Sequence, residues 1–160
     1  MSQPTLKLVT LGYLFDDQGR TLLLQRTKPP NQGLWSPPGG KIEIGESPFE
    51  CAAREVAEET GLRPERSSAK LLGLVAEKDY EAAGANYLIF LYGFYRWTGA
   101  LQAESGGGRL MWHALTALDG LAIPETDRQL FWPRIMAGRP FSLRIRGAGP
   151  DLQYGEEPLM

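Results

Sequence analysis

The chain has 160 residues, of which 42% are apolar and 22% are charged, and its formal net charge is −2. This length and composition predict one domain over residues 1–160 with a sizeable core, and they exclude a disordered chain. No apolar run is long enough to span a membrane, and residues 1–5 lack the pattern of a signal peptide, so a cytoplasmic location is expected. A near-neutral chain without a basic stripe also argues against a nucleic acid polymer as a partner.

The first part of the chain is rich in residues that favour strands. Residues 6–15 and 21–26 predict two strands of a hairpin across the turn sequence DDQGR. Gly12 within the first strand indicates a bulge or a close backbone approach. Residues 27–40, TKPPNQGLWSPPGG, are dense in proline and glycine and predict an ordered loop.

A helix with well-marked ends follows this loop. Ser47 can act as its N-cap, Pro48 occupies the tolerated first position, and Glu50 completes a capping box. Gly61 stands where a left-handed C-cap glycine belongs. The helix is therefore predicted over residues 48–60.

The helical period sorts these side chains into two faces. The face predicted to pack on the core carries Phe49, Ala52, Ala53, Val56 and Thr60. Glu55, Glu58 and Glu59 lie on a face turned away from it, close enough to repel one another. A hard divalent cation such as Mg²⁺ would offset that repulsion, whereas the alternative is an acidic helix face in solvent.

Residues 40–62 carry a longer pattern around these carboxylates. Gly, five residues, Glu, seven residues and Arg-Glu-Val-x-Glu-Glu-x-Gly-Leu resembles the Nudix hydrolase signature at every defining position. The resemblance implies an α/β fold, an α/β/α sandwich with a mixed β-sheet and the signature as loop–helix–loop. It also implies a small-molecule substrate, a nucleoside diphosphate joined to another group.

The resemblance assigns roles within the signature. Glu55, Glu58 and Glu59 would hold Mg²⁺, or Mn²⁺ in its place, helped by a backbone carbonyl near Gly40. A metal ion neutralises phosphate oxygens and lowers the pKa of a bound water, as phosphoanhydride hydrolysis requires.

Arg54 and Glu46 would pair to orient the acidic cluster, a task of residues that surround metal ligands. The catalytic base differs among members of the family, and Glu58 and Glu59 are the candidates here.

The middle of the chain predicts further strands. Residues 69–78 and 86–97 flank the loop DYEAAGA, and the second of these, heavily aromatic, is expected in the centre of the sheet. Residues 110–113 predict a short strand before a helical turn near 114–118. Residues 104–109, ESGGGR, predict a flexible loop.

Many members of the family carry a further glutamate in the loop that precedes this short strand. Glycines occupy its expected positions here, and Glu104 is the acidic residue that remains. Either Glu104 or Glu77 supplies a fourth carboxylate, or the site uses three.

Residues 123–133, IPETDRQLFWP, begin a helix with acidic residues at its start, and residues 140–145 predict a short edge strand before a loosely packed tail at 147–160. Acidic residues before an aromatic FWP helix and a PF-containing strand resemble the C-terminal part of 8-oxo-dGTP diphosphatases, as does the loop TKPPNQGLW. In that branch two carboxylates read the purine edge, and Glu125 and Asp127 match them. Helix capping by Asp127 or Thr126 is the alternative.

Several residues outside the signature are candidates for substrate contacts. Arg26, Lys28 and Lys41 are the nearest cations for phosphates, or else they are solvated surface charges. Trp35 either stacks on a base or anchors the core. Ser36 stands where this branch often has an asparagine that contacts the base, and its shorter side chain forms fewer hydrogen bonds.

One cysteine, Cys51, excludes an internal disulfide and fits a reducing compartment, and we interpret it and His113 as structural.

The sequence leaves three functions open. The first is Mg²⁺-dependent hydrolysis of a purine nucleoside triphosphate such as 8-oxo-dGTP. The second is the same chemistry on a dinucleoside polyphosphate, which Tyr80 favours, or on a nucleotide sugar. The third is a nucleotide sensor without catalysis.

Overall fold

A computed structural model describes residues 5–80, 84–147 and 149–159 of the chain. Within these ranges the strands, numbered in chain order, are β1 (Leu6–Leu14), β2 (Arg20–Arg26), β3 (Trp35–Ser36), β4 (Gly39–Lys41), β5 (Leu62–Pro64), β6 (Lys70–Tyr80), β7 (Ala85–Phe94), β8 (Trp97–Gly99), β9 (Glu104–Ser105), β10 (Gly108–Ala114), β11 (Phe141–Arg146) and β12 (Gln153–Glu156). The α-helices are α1 (Pro48–Thr60) and α2 (Trp132–Ala137), and a π-helical segment, Asp127–Phe131, leads into α2. Short 3₁₀ turns span Arg66–Ser68, Leu115–Gly120 and Gly149–Asp151. No helix in the described ranges has the length and apolar content to cross a membrane.

A mixed sheet of six strands, in the order β12-β11-β6-β7-β1-β4, organises the fold. β1 runs parallel to β7, and β11 runs parallel to β6, while the pairs β6–β7 and β1–β4 are antiparallel. The predicted central position of the aromatic strand β7 is confirmed. A second sheet has the order β3-β2-β10-β9, and β5 pairs with β8.

Helices cover both faces of the six-stranded sheet, which confirms the predicted α/β sandwich. Neighbouring residues of β1 point to opposite faces, so Tyr13 packs in one core with Trp132 of α2, and Leu14 packs in the other with Val56 of α1. The sheet therefore separates the acidic helix α1 from the layer that contains α2.

Helix α1 has the predicted ends. The Ser47 hydroxyl accepts a hydrogen bond from the Glu50 N–H (3.1 Å), the Glu50 carboxylate accepts from the Ser47 N–H (3.4 Å), and Gly61 has a φ of 81°. Of the predicted core face, Ala52, Val56 and Thr60 are buried, while Phe49 and Ala53 are half-buried. Cys51 is also fully buried, and burial raises its pKa to about 11, as expected for a structural thiol.

The predicted hairpin between the first two strands is wrong. Both strands form, and the Asp16 carboxylate accepts hydrogen bonds from the N–H groups of Gln18 and Arg20 in the turn between them. A single bridge between Phe15 and Thr21 joins them, however. β1 pairs along its length with β7, and β2 pairs with β10, so the two strands diverge into different sheets.

Three further predictions change with the structure. The predicted flexible loop at 104–109 is a tight hairpin, because β9 pairs with the first residues of β10. The strand predicted at the edge, β11, lies inside the sheet, since β12 pairs along its outer side. β12 also adds an ordered edge strand within the segment 147–160, and three of its four residues are exposed. Part of the predicted loop DYEAAGA, residues 81–83, lies outside the described residues.

Gly12 marks a close approach of α1 to the sheet. A Cβ atom at this position would lie 2.5 Å from Cγ2 of Val56 and 3.4 Å from the Phe94 ring. Because valine is stiff about χ1 in a helix, the contact could be relieved only by moving the helix. We therefore expect Gly12→Ala to lower the free energy of unfolding by about 1–3 kcal/mol, measured by denaturant titration.

Adding Val56→Ala to Gly12→Ala should recover part of that loss, because it removes the methyl group that the new Cβ meets. Gly106→Ala is the matched control, since a Cβ there meets nothing within 4 Å. Purely additive effects of the two substitutions would contradict the proposed contact.

Candidate functional site

Two glycines of β4 allow close contacts at the edge of the sheet, Gly39 with β1 and Gly40 with the acidic helix α1. A Cβ atom at Gly40 would collide with the carboxylate of Glu55, and one at Gly39 would collide with the carbonyl of Thr10. The Glu59 carboxylate accepts a hydrogen bond from the Gly39 N–H at 3.0 Å. The backbone of β4 and the carboxylates of α1 thus form one surface.

Arg54 is the cation at the centre of this surface. Its Nε and Nη2 donate to the two carboxylate oxygens of Glu46, at 3.0 and 2.7 Å, which confirms the predicted pair. Its Nη1 donates to Glu55 (2.9 Å) and to Glu58 (3.3 Å). The hydrogen bond from Arg54 is the main cause that lowers the pKa of Glu46 to about 2.

The remaining acidic residues are less well compensated. Burial is the main cause that raises the pKa of Glu59 to about 7, and the charge of Glu55 adds to it. Burial also raises the pKa of Glu55. Two partly buried carboxylates therefore lie together with too little positive charge around them, which favours the binding of a cation.

The oxygen donors on this surface match the chemistry of a hard divalent cation. Within the described ranges, however, no three Asp, Glu, His or Cys side chains converge in an arrangement that would hold a metal ion. Arg54 pairs with both Glu55 and Glu58, and the Glu58 side chain is 60% exposed.

A cavity of about 320 Å³ opens on the other face of the sheet, below the π-helical segment. Its apolar wall consists of Val9, Leu11, Ile89 and Phe131, together with proline side chains. Its polar residues are Lys7, Thr10, Arg26, Asn31, Ser36, Lys41, Glu77, Tyr87, Thr126 and Asp127. The lining includes Gly39 and Gly40, so the cavity reaches the strand against which the acidic helix lies.

Two buried carboxyl groups from different elements line the cavity. Glu77, on β6, is 6% exposed, and Asp127, at the start of the π-helical segment, is 7% exposed. Burial is the main cause that raises the pKa of Asp127 to about 8, and the charge of Glu77 raises it further. Burial and the neighbouring charge thus favour the protonated form of Asp127, which is a hydrogen-bond donor.

Glu77 was predicted only as an additional metal ligand. The structure places it on the sheet face of Val75, opposite to α1, because side chains alternate along β6. The signal for this site was an acidic residue directly after the apolar run of residues 71–76, in the alternation of Val75. Glu104, the other candidate, is exposed on β9, which lies beside α1. Tyr80 is the last residue of β6.

The structure separates the other predicted residues. Arg26, Ser36 and Lys41 line the cavity, and Nε of Arg26 donates to the carbonyl of Pro30 (2.6 Å). Lys28 is exposed and does not line the cavity.

Two predicted base contacts lie elsewhere. Trp35 is buried in the core against His113, with the ring centroids 4.6 Å apart, so its role as a core anchor is confirmed. Glu125 is 67% exposed, pairs with Arg128, and does not line the cavity. Thr126 makes no capping hydrogen bond through its side chain, so the proposed cap is not formed by this residue.

A family model and two relatives indicate the same protein family for this chain. The NUDIX domain family model matches residues 5–131. An uncharacterized Nudix hydrolase of Bacillus subtilis is 32% identical over 108 residues, which cover 68% of this chain and 66% of the relative. The 8-oxo-dGTP diphosphatase of Escherichia coli is 33% identical over 90 residues, which cover 56% of this chain and 65% of the relative. The chain thus spans slightly less than two thirds of either protein.

Among solved structures, the mutator MutT protein of Bacillus halodurans superimposes with a TM-score of 0.79 at 27% identity, over 96% of this chain and 99% of that one. The family match extends over most of the chain and includes the acidic helix and the cavity walls up to Phe131. The chain therefore belongs to the Nudix hydrolase family.

Proposed function

We propose that the chain hydrolyses a phosphoanhydride bond of a purine nucleoside triphosphate, releasing the monophosphate and pyrophosphate, with an oxidised guanine nucleotide such as 8-oxo-dGTP preferred. The observation that carries this proposal is the continuity of the cavity, which runs from the buried carboxyl groups of Glu77 and Asp127 to Gly39 and Gly40. The acidic helix lies on the other side of these glycines. We therefore assign the end with Glu77 and Asp127 to the base of the nucleotide and the end beside the acidic helix to its phosphates.

The base end combines apolar walls with few polar groups, as small-molecule sites do. Val9, Ile89 and Phe131 offer apolar contact for a planar ring. Glu77 supplies carboxylate oxygens, and Asp127, protonated, supplies a donor as well. A guanine-type base, with N–H donors and a carbonyl acceptor along one edge, matches this combination better than adenine does. The name of the Escherichia coli relative supports the same substrate class.

The phosphate end contains the groups for hydrolysis. Glu55, Glu58, Glu59 and the carbonyl of Gly40 would hold Mg²⁺ or Mn²⁺, which neutralises phosphate oxygens and lowers the pKa of bound water. The partly buried carboxylates of Glu55 and Glu59 fit a cation because their charge is poorly compensated.

The side chains around this cluster have separate tasks. Arg54, held by Glu46, orients Glu55 and Glu58. Arg26 and Lys41 line the cavity and place positive charge near the phosphates. Glu58 and Glu59 are the candidates for taking the proton of the attacking water.

A hydrolysis screen tests the proposed function. We expect Mg²⁺-dependent turnover, with a higher kcat/KM for 8-oxo-dGTP than for the ordinary dNTPs, a dinucleoside tetraphosphate or ADP-ribose, and pyrophosphate as the product. Asp127→Ala should reduce that preference, because it removes both the donor and the acceptor of the buried carboxyl group. Glu125→Ala is the matched control, since Glu125 lies outside the cavity.

A preference for the dinucleotide or for ADP-ribose would reject the proposed substrate. Equal effects of the Asp127 and Glu125 substitutions would reject the proposed base site.

Removing one carboxylate should abolish turnover without harming the fold. Glu58→Gln takes charge from an exposed side chain, so we expect kcat to fall by about a hundredfold or more while the melting temperature changes little. Glu65→Gln is the control, because Glu65 is also exposed and paired with an arginine. Unchanged kcat in Glu58→Gln would exclude the proposed metal ligands.

The buried carboxyl of Asp127 should make stability depend on pH. Its pKa in the folded chain is about 8, against 3.8 for an ordinary aspartate, so the folded chain holds a proton that the unfolded chain releases between these values. Stability should therefore fall as pH rises from about 4 to about 8, by an amount on the order of a few kcal/mol. Asp127→Asn should flatten this dependence.

Denaturant unfolding at a series of pH values measures the effect. Asp17→Asn, at an exposed aspartate, is the control and should leave the slope unchanged. The same slope in Asp127→Asn and in the unsubstituted chain would show that Asp127 carries no proton in the folded state.

A further inference from the structure

The π-helical segment begins and ends at cavity residues. Its backbone is closed by a hydrogen bond from the N–H of Trp132 to the carbonyl of Asp127, five residues back. Asp127 and Phe131 both line the cavity, whereas Arg128, which is half-buried, and Gln129, which is exposed, do not. Such wide turns are rare, and they persist where surrounding contacts hold them.

Arg128 makes the contacts that hold this turn. Its guanidinium donates to three backbone carbonyls, those of Leu118 (3.3 Å), Asp119 (2.7 Å) and Leu121 (2.7 Å). Its Nε also donates to Glu125 at 3.1 Å. A planar guanidinium can bond several carbonyls at once, whereas a lysine ammonium cannot reproduce this geometry.

The segment that Arg128 binds continues into another wall of the cavity. The carbonyl of Ala122 accepts a hydrogen bond from the Trp35 N–H at 2.8 Å, and Ser36, the next residue, lines the cavity. Pro124 lines it as well. Arg128 thus connects the turn that carries Asp127 with the chain segment attached to Ser36.

We propose that Arg128 is a positioning residue for base recognition, which fixes the π-helical turn so that Asp127 and Phe131 face the base. Arg128 does not line the cavity, so it acts through these two residues and not by touching the substrate. This inference rests on the proposed function, in which the cavity takes the base. The acidic helix packs on the opposite face of the sheet, so loss of Arg128 should weaken base binding and spare the chemical step.

The experiment compares Arg128→Ala, Arg128→Lys and Arg134→Ala, with kcat and KM determined separately for 8-oxo-dGTP and dATP. Arg134 is the control: it lies on α2, directly after the π-helical segment, and donates to the carbonyl of Leu130 (3.0 Å), one turn back, and to Glu156 (2.8 Å), whereas Arg128 bonds residues 118–121. In Arg128→Ala we expect KM for 8-oxo-dGTP to rise about tenfold or more, kcat to stay within about twofold, and the preference over dATP to shrink. For Arg128→Lys we expect a KM for 8-oxo-dGTP between those of Arg128→Ala and the unsubstituted chain.

A parallel fall of kcat for both nucleotides, or the same KM change in Arg134→Ala, would overturn the inference. If Arg128→Ala does not fold, Arg128→Lys gives the same comparison with a milder change. If the unsubstituted chain hydrolyses no nucleotide, the proposed function fails, and calorimetric titration with 8-oxo-dGMP and dAMP then tests Arg128 by itself. A loss of 8-oxo-dGMP affinity in Arg128→Ala but not in Arg134→Ala would uphold its role, and equal affinities would refute it.

Discussion

The arrangement depends on the absence of side chains at Gly39 and Gly40. Any Cβ atom at these positions would collide with the carbonyl of Thr10 or with the carboxylate of Glu55. Gly39 allows β4 to lie close to β1, and Gly40 leaves room for the carboxylate of Glu55 beside this edge strand, where the Gly39 N–H binds Glu59. The same two residues line the cavity on the other face. They are the point at which the two halves of the site meet.

The negative charge of the carboxyl groups is compensated differently on the acidic helix and in the cavity. Around Arg54, a fork of hydrogen bonds keeps Glu46 ionised and lowers its pKa to about 2, whereas Glu59, one turn further along α1 than Glu55, has a pKa of about 7. In the cavity, burial and the charge of Glu77 raise the pKa of Asp127, so the protonated form of this carboxyl is favoured there. Residual negative charge near Glu59 favours a cation, and a protonated carboxyl in the cavity favours a ligand with hydrogen-bond acceptors.

The sequence predicted what depends on local contacts. The caps of α1 follow from spacing within one helix, and the pair of Arg54 and Glu46 was implied by the resemblance of the signature. Strand pairing is not local: the turn after β1 forms as expected, but β7, contributed from far along the chain, takes the position that a hairpin partner would occupy. Glu77 and Asp127 are 50 positions apart, so their common cavity could be recognised only after β6 and the π-helical segment were placed against each other.

The proposed separation of base recognition from hydrolysis follows from the two hydrophobic cores. Helix α1 is fixed by the core that contains Val56, Leu14 and Phe94, whereas the cavity walls belong to the core that contains Leu130, Phe131 and Trp132. A substitution in the second core can reshape the base end without moving the carboxylates of α1, because the sheet lies between them. The distinction between Glu125 and Asp127 illustrates this: two residues apart in sequence, one is in solvent and the other buried, because the helix geometry at that point decides which side chain enters the cavity. Selectivity for the base would thus reside in the geometry of a single turn, separate from the helix that carries the chemistry.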